Sequence, residues 1–332
     1  MNKKKIFIVA EIGSVHDCSF GNACNLIKIA KECGADAIKF QTHLPEYETL
    51  KSAPSPSHFN SENRFDYFQR TGFSFQQYKF LNKTAKKNKI IFMSSPFSIE
   101  AVDMLKKINM RIYKIPSGEV NNIPLLEKIK KTRKEVFLST GMSNWEEIND
   151  AYKILKNNKL TILQCTSAYP CRLQDVGINI LNDLKKKFDC SIGFSDHTEG
   201  KEAAILAVNN GATVIEKHLT FSKKMYGSDA RFAMEIPEFK EYCASLRKVE
   251  TLIYSKVNKN SMAKKLKVTR NIFSKSIVSK IDIPKNKSIK ITDLAFKKPG
   301  HGVPTKFYKK FLKKKARKLI KKNVIIKFRD IK

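Results

Sequence analysis

Acidic residues are scarce in this sequence. It contains 31 Asp and Glu against 64 Lys and Arg, which gives a formal net charge of +33. Such an excess is typical of proteins that bind nucleic acid, a membrane surface or anionic substrates. Lysine dominates the basic residues along the whole chain, however, which favours a general compositional bias over one binding patch. The densest cluster, residues 308–318, has apolar positions at helical spacing, so we predict an amphipathic helix with a solvated face there and no nucleic-acid partner.

Long hydrophobic runs are absent as well. No stretch approaches the length of a transmembrane helix. The apolar run Ile6–Ala10 follows a basic start but is too short for the core of a secretion signal, and Glu11 interrupts it. We therefore expect a cytoplasmic protein without a membrane partner.

Cys-x-x-Cys pairs are missing, although the sequence has seven cysteines. Their odd number and their mostly apolar surroundings predict reduced thiols rather than disulfides or a zinc cluster. No Gly-x-Gly-x-x-Gly motif follows the first predicted strand, which argues against a Rossmann dinucleotide site.

What the sequence does contain is an alternation of short β-rich runs and segments with helical apolar spacing. Several β-rich runs are continuously apolar, which is typical of strands buried on both faces by helices. Eight such units within about 250 residues predict a (β/α)8 TIM barrel, with a doubly wound open sheet as the competing α/β fold. The predicted strands are Ile6–Ala10, Ala37–Gln41, Ile90–Ser94, Ile112–Pro116, Val136–Thr140, Thr161–Thr166, Ser191–Ser195 and Thr213–His218.

Beyond the eighth strand the pattern changes. Residues 236–255 predict the helix that completes a barrel domain of residues 1–255, and residues 256–270 have the polar, Lys-rich composition of a linker. Residues 271–332 predict a second, small β-rich domain, whose thin core should pack on another body. Its predicted strands are 276–279, 281–286 and 288–289.

Two histidines stand at equivalent ends of successive predicted strands. His197 ends the run Gly-Phe-Ser-Asp-His-Thr, and His218 ends the run Thr-Val-Ile-Glu-Lys-His. Parallel strands would place both imidazoles at the same edge, where they could hold a divalent metal with open coordination positions. The alternative is that each histidine is a hydrogen-bonded structural residue.

Two lysines lie inside apolar strands, where a buried charge needs a partner. Lys39 and Lys114 stand among several strand-end hydroxyls, a combination that suits a phosphate or carboxylate. The alternative pairs these lysines with Glu11 and Glu119 as internal ion pairs. The hydroxyls are those of Ser95, Ser117, Ser139 and Ser195.

These stretches together resemble the sialic acid synthase family, the phosphoenolpyruvate-dependent nonulosonate synthases. The resemblance runs almost from end to end, and the tail is similar to the antifreeze-like (SAF) module of these enzymes. The matching stretches are residues 10–13, 34–42, 95–98, 114–119, 138–142, 164–167 with 169–170, 193–198, 216–218 and 227–229.

The resemblance implies a barrel followed by an antifreeze-like domain that reaches over the partner's active site in a homodimer. It implies condensation of phosphoenolpyruvate with an N-acetylated hexose to a nine-carbon 2-keto acid, with release of phosphate. N-acetylneuraminate, from N-acetylmannosamine, is the first expected product; legionaminate, from a 2,4-diacetamido hexose, is the alternative, and pseudaminate is less expected. A sugar phosphate acceptor stays open.

The same resemblance assigns roles to the site. His197 and His218 would hold Mn²⁺ or Mg²⁺, and Glu119 or Glu11 would orient or deprotonate the attacking water. Phosphoenolpyruvate would be bound by Lys39, Ser95, Lys114, Ser117, Ser139 and Ser195. The sugar would be bound by Gln41, Tyr169, Asp229 and Lys298. For Asp229 the alternative is a turn residue of the Gly-Ser-Asp loop.

Three positions depart from the family pattern. Val15 and Cys18 stand where the family has an Asn and a Gly after the first strand, and Lys298 stands where it has an Arg that contacts the N-acetyl group. Lysine offers a point charge instead of a planar multidentate donor. A function from another class, a metal-dependent barrel hydrolase, would need metal ligands beyond His197 and His218.

Overall fold

Eight parallel strands pair in chain order in the computed structural model, and the first pairs with the eighth, so that the sheet closes into a barrel. The structure describes residues 6–55 and 62–332; the basic start, residues 1–5, and His58 lie outside the described residues. The predicted TIM barrel is confirmed and the open sheet is wrong. The barrel strands are β1 (Phe7–Gly13), β2 (Ala37–Thr42), β3 (Ile91–Pro96), β4 (Ile112–Ile115), β5 (Glu135–Ser139), β6 (Leu160–Gln164), β7 (Ser191–Asp196) and β8 (Val214–Thr220). A two-residue strand, β9 (Met234–Glu235), pairs with the end of β8.

Helices follow these strands and begin where side chains satisfy the free amides of a first turn. The Ser19 side chain accepts from the Asn22 amide, while Ser74 with Gln77 and Asn144 with Glu147 form capping boxes. The helices are α1 (Phe20–Glu32), α2 (Pro45–Glu48), α3 (Arg64–Thr71), α4 (Phe75–Lys87), α5 (Ile99–Lys107), α6 (Ile123–Lys130), α7 (Trp145–Leu155), α8 (Ile180–Lys187), α9 (Glu202–Asn209) and α10 (Ile236–Tyr254).

Apolar side chains form two layers around the strands. The outer layer fills the space between the strands and the helices, and the inner layer fills the amino-terminal end of the barrel. These apolar side chains form the floor beneath the site. Its members are Val9, Ala37, Met93, Ile112, Phe137, Leu163 and Val214.

Gly193 contributes to this floor by having no side chain. A Cβ atom on Gly193 would lie 2.8 Å from the Val214 carbonyl oxygen and 3.0 Å from Leu163 Cγ. The large side chains of the inner layer therefore pack over a glycine at this position of β7.

The chain divides at Tyr254 into two units, Met1–Tyr254 and Ser255–Lys332. The segment predicted as a linker contains two short helices, α11 (Lys259–Lys265) and α12 (Lys267–Phe273). They precede β10 (Ser276–Ser279), which pairs antiparallel with β11 (Leu294–Lys297). This second unit has its own core, formed by Ile277, Ile283, Ile289, Leu294, Phe311, Ala316, Ile320, Ile326 and Ile331.

Two predictions for the second unit are wrong. Residues 281–286 do not form a strand: Ile283 makes an isolated bridge to Ile320, and a turn with Asn286 at φ 65° follows. The Lys-rich cluster does not form an amphipathic α-helix, because Thr305–Lys310 is a 3-10 helix and Phe311 is buried just after it. None of the helices among the described residues is both long and apolar enough to cross a membrane.

We predict that Gly193→Ala lowers the free energy of unfolding by about 1–3 kcal/mol, because the new methyl group overpacks the inner layer. Urea unfolding followed by circular dichroism measures the change. Gly21→Ala is the matched control, since a Cβ on Gly21 in α1 meets no atom within 4 Å and alanine favours a helix. Equal stability of the two variants would contradict the packing argument.

Candidate active site

A cavity of about 620 Å³ opens at the carboxyl ends of the barrel strands. Successive side chains of a strand point to opposite faces, so a residue two positions beyond an inner-layer residue also points inward. Lys39, Lys114 and Ser139 follow Ala37, Ile112 and Phe137 in this way. The predicted site residues that line the cavity are Glu11, Lys39, Gln41, Lys114, Ser117, Ser139, Tyr169, Ser195, His197, His218 and Asp229.

Four buried charges form a cluster in the cavity. Lys39 Nζ lies 3.0 Å from Glu11 Oε2 and 3.6 Å from Glu216 Oε1. Glu216 Oε1 also lies 3.0 Å from Lys114 Nζ, so it joins both lysines. Although burial favours the neutral carboxyl, Lys114 and Lys39 lower the pKa of Glu216 to about 2. Glu216 is therefore the central anion of the cluster.

The alternative of internal ion pairs is right for Lys39 with Glu11 and wrong for Lys114 with Glu119. Glu119 lies in a 3-10 turn beyond β4, and its Oε2 accepts a hydrogen bond of 2.7 Å from Asn122 Nδ2. The partner of Lys114 comes instead from β8, on the opposite side of the barrel, where Glu216 points inward. Glu119 does not line the cavity.

The four predicted serines have different surroundings. Ser195 Oγ donates to Glu216 Oε1 at 3.1 Å, and Ser117 Oγ accepts from the Gly141 amide at 2.9 Å. Ser139 Oγ is buried and has no hydrogen-bond partner among the described residues. Ser95 is fully buried and does not line the cavity; its Oγ accepts from Lys39 Nζ at 3.3 Å. Ser95 thus holds Lys39, whereas the other three face the cavity.

Asp229 reaches the cavity from the loop after β8. Its Oδ2 accepts a hydrogen bond from the Ser14 amide at 3.2 Å. A Cβ atom added to Gly13 would lie only 2.1 Å from the same oxygen. Gly13 has φ +48°, so a side chain there would be both strained and obstructed. Gln41 Nε2, on the same side, donates to Glu11 Oε1 at 2.9 Å.

The ring centroids of His197 and His218 are 5.7 Å apart in the cavity wall. His197 Nδ1 lies 2.9 Å from the Thr166 carbonyl oxygen, which can only accept, so Nδ1 carries a proton, and the Tyr169 hydroxyl lies 3.4 Å from Nε2. Although burial favours the neutral ring, the neighbouring Cys165 raises the pKa of His197. His218 Nδ1 is buried and lacks a hydrogen-bond partner among the described residues, and burial lowers the pKa of His218 to about 4. His218 is thus a neutral imidazole with an unsatisfied nitrogen.

In their neutral form these two imidazoles can supply two nitrogen ligands to a divalent metal. No cluster of three or more His, Cys, Asp and Glu suited to a metal occurs among residues 6–55 and 62–332. A metal held by His197 and His218 would therefore keep its other coordination positions for water and substrate.

Several lining residues were not predicted as functional. Glu216 lies in the run that ends at His218, and Arg64 and Arg231 lie in α3 and in a 3-10 turn outside the barrel strands. Cys165 lines the cavity too, with its Sγ 3.8 Å from His197 Nδ1. Cys165 stands two positions after the inward-facing Leu163, so strand alternation could have identified it. No sequence pattern points to the two arginines.

Val15, Cys18 and Lys298, which depart from the family pattern, have different surroundings. Val15 is fully buried in the loop after β1, and Cys18 is exposed there with φ 64°. Lys298 lies in the second unit, where its Nζ is 5.1 Å from the centre of the Phe273 ring.

Comparison with known proteins agrees with this geometry. Residues 26–258 match the model of the NeuB family. The chain belongs to the NeuB family. It is 36% identical to N,N'-diacetyllegionaminic acid synthase of Campylobacter jejuni over 97% of this chain and 99% of that protein. It is 34% identical to the pseudaminic acid synthase of the same species over 96% and 94%.

A solved structure gives the same result. The N-acetylneuraminic acid synthetase of Leptospira borgpetersenii, in complex with citrate, superimposes with a TM-score of 0.70 at 29% identity and covers 80% of this chain and 92% of that chain. This NeuB family member is thus similar to synthases of several nonulosonic acids.

We predict that Glu216→Gln lowers the free energy of unfolding by about 3 kcal/mol, because Lys114 loses its buried counter-charge. Urea unfolding measures this change. The control is Glu241→Gln, whose partner Lys201 is at the surface, so the variant should leave the free energy of unfolding nearly unchanged. If the two variants were equally stable, the buried cluster would not be held by Glu216.

Proposed function

We propose that this protein condenses phosphoenolpyruvate with an N-acetylated hexose to a nonulosonic acid and phosphate. The observation that carries the proposal is one cavity holding two buried lysines, three serine hydroxyls and a pair of imidazoles. The lysines suit an anionic substrate, and the histidines suit a metal that faces a second substrate. The NeuB family relationship supports the same reaction.

Phosphoenolpyruvate would bind at Lys39 and Lys114. Its phosphate and carboxylate can take over the interactions that Glu11 and Glu216 now make with the two ammonium groups. Ser139 Oγ, which has no partner among the described residues, can donate a further hydrogen bond. Ser117 and Ser195 add hydroxyls to the same wall.

The proposed reaction consumes phosphoenolpyruvate, the open-chain sugar and one water molecule. Carbon C3 of the enolpyruvate forms a bond to the aldehyde carbon of the open-chain sugar, and the aldehyde oxygen gains a proton. Water adds to C2 and releases one proton, which balances the proton gained by the aldehyde oxygen. The C2–O bond to phosphate then breaks, and the C2 hydroxyl loses its proton to the departing phosphate, which leaves the 2-keto group. Glu11 lines the cavity and Glu119 does not, so we assign the handling of water to Glu11.

His197 and His218 would hold Mn²⁺ or Mg²⁺, which when bound supplies polarisation of the sugar aldehyde. The Thr166 carbonyl fixes the tautomer of His197 and aims Nε2 away from the backbone. A metal-dependent hydrolase, the function from another class, would need ligands beyond this pair, so we prefer the synthase.

For the acceptor we propose a 2,4-diacetamido hexose and hence a legionaminate-type product. The full-length similarity to a legionaminic acid synthase supports this choice over N-acetylmannosamine, which the sequence had favoured. Gln41, Tyr169 and Asp229 are the proposed contacts to the sugar. The resemblance further supports a homodimer in which an antifreeze-like second unit offers Lys298 to the partner's sugar, which sedimentation analysis can test.

The reaction itself is tested by phosphate release from phosphoenolpyruvate with Mn²⁺, offering 2,4-diacetamido hexoses and N-acetylmannosamine in parallel. We expect release that requires sugar, is highest with a diacetamido hexose and is lost in His218→Ala and after chelation. A higher kcat/KM with N-acetylmannosamine would reverse the acceptor assignment. No release with any sugar from folded, metal-loaded protein would refute the synthase proposal.

The two substrate subsites are separated by a matched pair of variants. Ser139→Ala removes one unpaired hydroxyl and should raise KM for phosphoenolpyruvate about 10-fold, with KM for the sugar unchanged. Asp229→Asn keeps an acceptor for the Ser14 amide and should raise KM for the sugar about 10-fold, with KM for phosphoenolpyruvate unchanged. Steady-state kinetics with each substrate varied in turn gives both values, and an interchange of the two effects would mean that the subsites are assigned the wrong way round.

A further inference from the structure

The outward faces of β7 and β8 carry a second buried ion pair directly behind the two histidines. Asp196 precedes His197 and Lys217 precedes His218, so their side chains point to the opposite side of the sheet. Asp196 and Lys217 are register partners, and Lys217 Nζ lies 3.3 Å from Asp196 Oδ2. The side chains are 0% and 1% exposed.

This pair also holds the residue that follows His197. Asp196 Oδ1 accepts from the Thr198 amide at 2.9 Å and from Thr198 Oγ1 at 2.7 Å. Lys217 Nζ donates to the Thr198 carbonyl oxygen. The backbone on both sides of His197 is thus tied to the residue before His218.

Tyr242 of α10 completes the network. Its hydroxyl donates to Asp196 Oδ2 at 2.9 Å, and Lys217 Nζ lies 5.7 Å from the centre of its ring. The network connects two strands and a helix, and none of its members lines the cavity.

Stability alone gives no reason for such a pair. Replacing a buried ion pair by neutral side chains of similar volume is often neutral or stabilising, because desolvation offsets the attraction. What neutral side chains lose is a directed link between two points of the backbone. Here the link joins the ends of the two strands that carry His197 and His218.

We propose that Asp196, Lys217 and Tyr242 are positioning residues that fix the separation and orientation of His197 and His218, and through them the affinity for the metal. The inference rests on the proposed metal role of the two histidines. It assigns a task to charges that touch neither substrate. Partners behind metal ligands typically change metal affinity 10- to 100-fold when they are replaced.

The test is the double variant Asp196→Asn/Lys217→Met in the full chain. It removes both charges together and breaks the hydrogen bond from Lys217 to the Thr198 carbonyl oxygen. The amide oxygen at position 196 can still accept a hydrogen bond from the Thr198 amide. We expect an unfolding midpoint close to that of the unchanged protein and Mn²⁺ binding at least about 10-fold weaker in titration calorimetry.

A matched control is Asp36→Asn/Arg247→Met. Arg247 also lies on α10, and it pairs with Asp36 at 2.5 Å just before β2, at the other end of the barrel. This double variant removes an ion pair between the same helix and the sheet and should leave Mn²⁺ affinity unchanged. Equal loss of Mn²⁺ affinity in both double variants would overturn the proposal, as would no loss in Asp196→Asn/Lys217→Met.

Tyr242→Phe provides a second variant should the first not fold. It deletes one hydroxyl and keeps the ring, so it leaves no large cavity and should not lower the unfolding midpoint. Mn²⁺ binding should weaken several-fold. Unchanged Mn²⁺ affinity in this variant would overturn the assignment. Phosphate release is measured separately, so an unchanged protein that binds Mn²⁺ but releases no phosphate refutes the synthase function and leaves the positioning network standing.

Discussion

The contact on which the site depends is that of Glu216 Oε1 with two lysines, one from β4 on the other side of the barrel and one from the nearby β2. Lys39 on β2 and Lys114 on β4 can stay buried because one carboxylate of β8 lies within 3.6 Å and 3.0 Å of them. Barrel closure makes this possible, since only pairing of β1 with β8 places β8 opposite β4 and near β2. The charge cluster thus depends on the closure of the barrel.

Strand alternation distributes the remaining tasks. Inward positions above the apolar floor carry the groups that face the cavity, and the outward positions next to them carry the groups that hold the strands. Ser195 and Asp196 are adjacent in the sequence, yet one donates to Glu216 and the other pairs with Lys217 behind the sheet. A run such as Gly-Phe-Ser-Asp-His-Thr therefore contains residues of two separate networks in alternation.

Much of the barrel could be predicted from the sequence, because eight apolar runs of similar length separated by helical segments fit few folds. All eight predicted strands occur, and eleven of the predicted site residues line one cavity. The misses concern side chains whose direction depends on tertiary structure. Glu119 was paired with Lys114 because it is close in sequence, whereas Glu216 is 102 residues away from Lys114. Arg64 begins a short helix and Arg231 lies in a 3-10 turn, so neither follows from the pattern of the barrel strands. The second unit has bridges too short to leave an alternating pattern.

The charge cluster has a consequence for turnover. Lys39 and Lys114 are paired with carboxylates before any ligand arrives. A substrate anion would therefore replace Glu11 and Glu216 as the partner of the two lysines, and would not bind to unpaired positive charges. In the proposed reaction the carboxylates can return to the lysines when inorganic phosphate departs, and no buried charge is left alone. The cluster would therefore lower the affinity of the cavity for its own product and restore the same ion pairs before the next cycle.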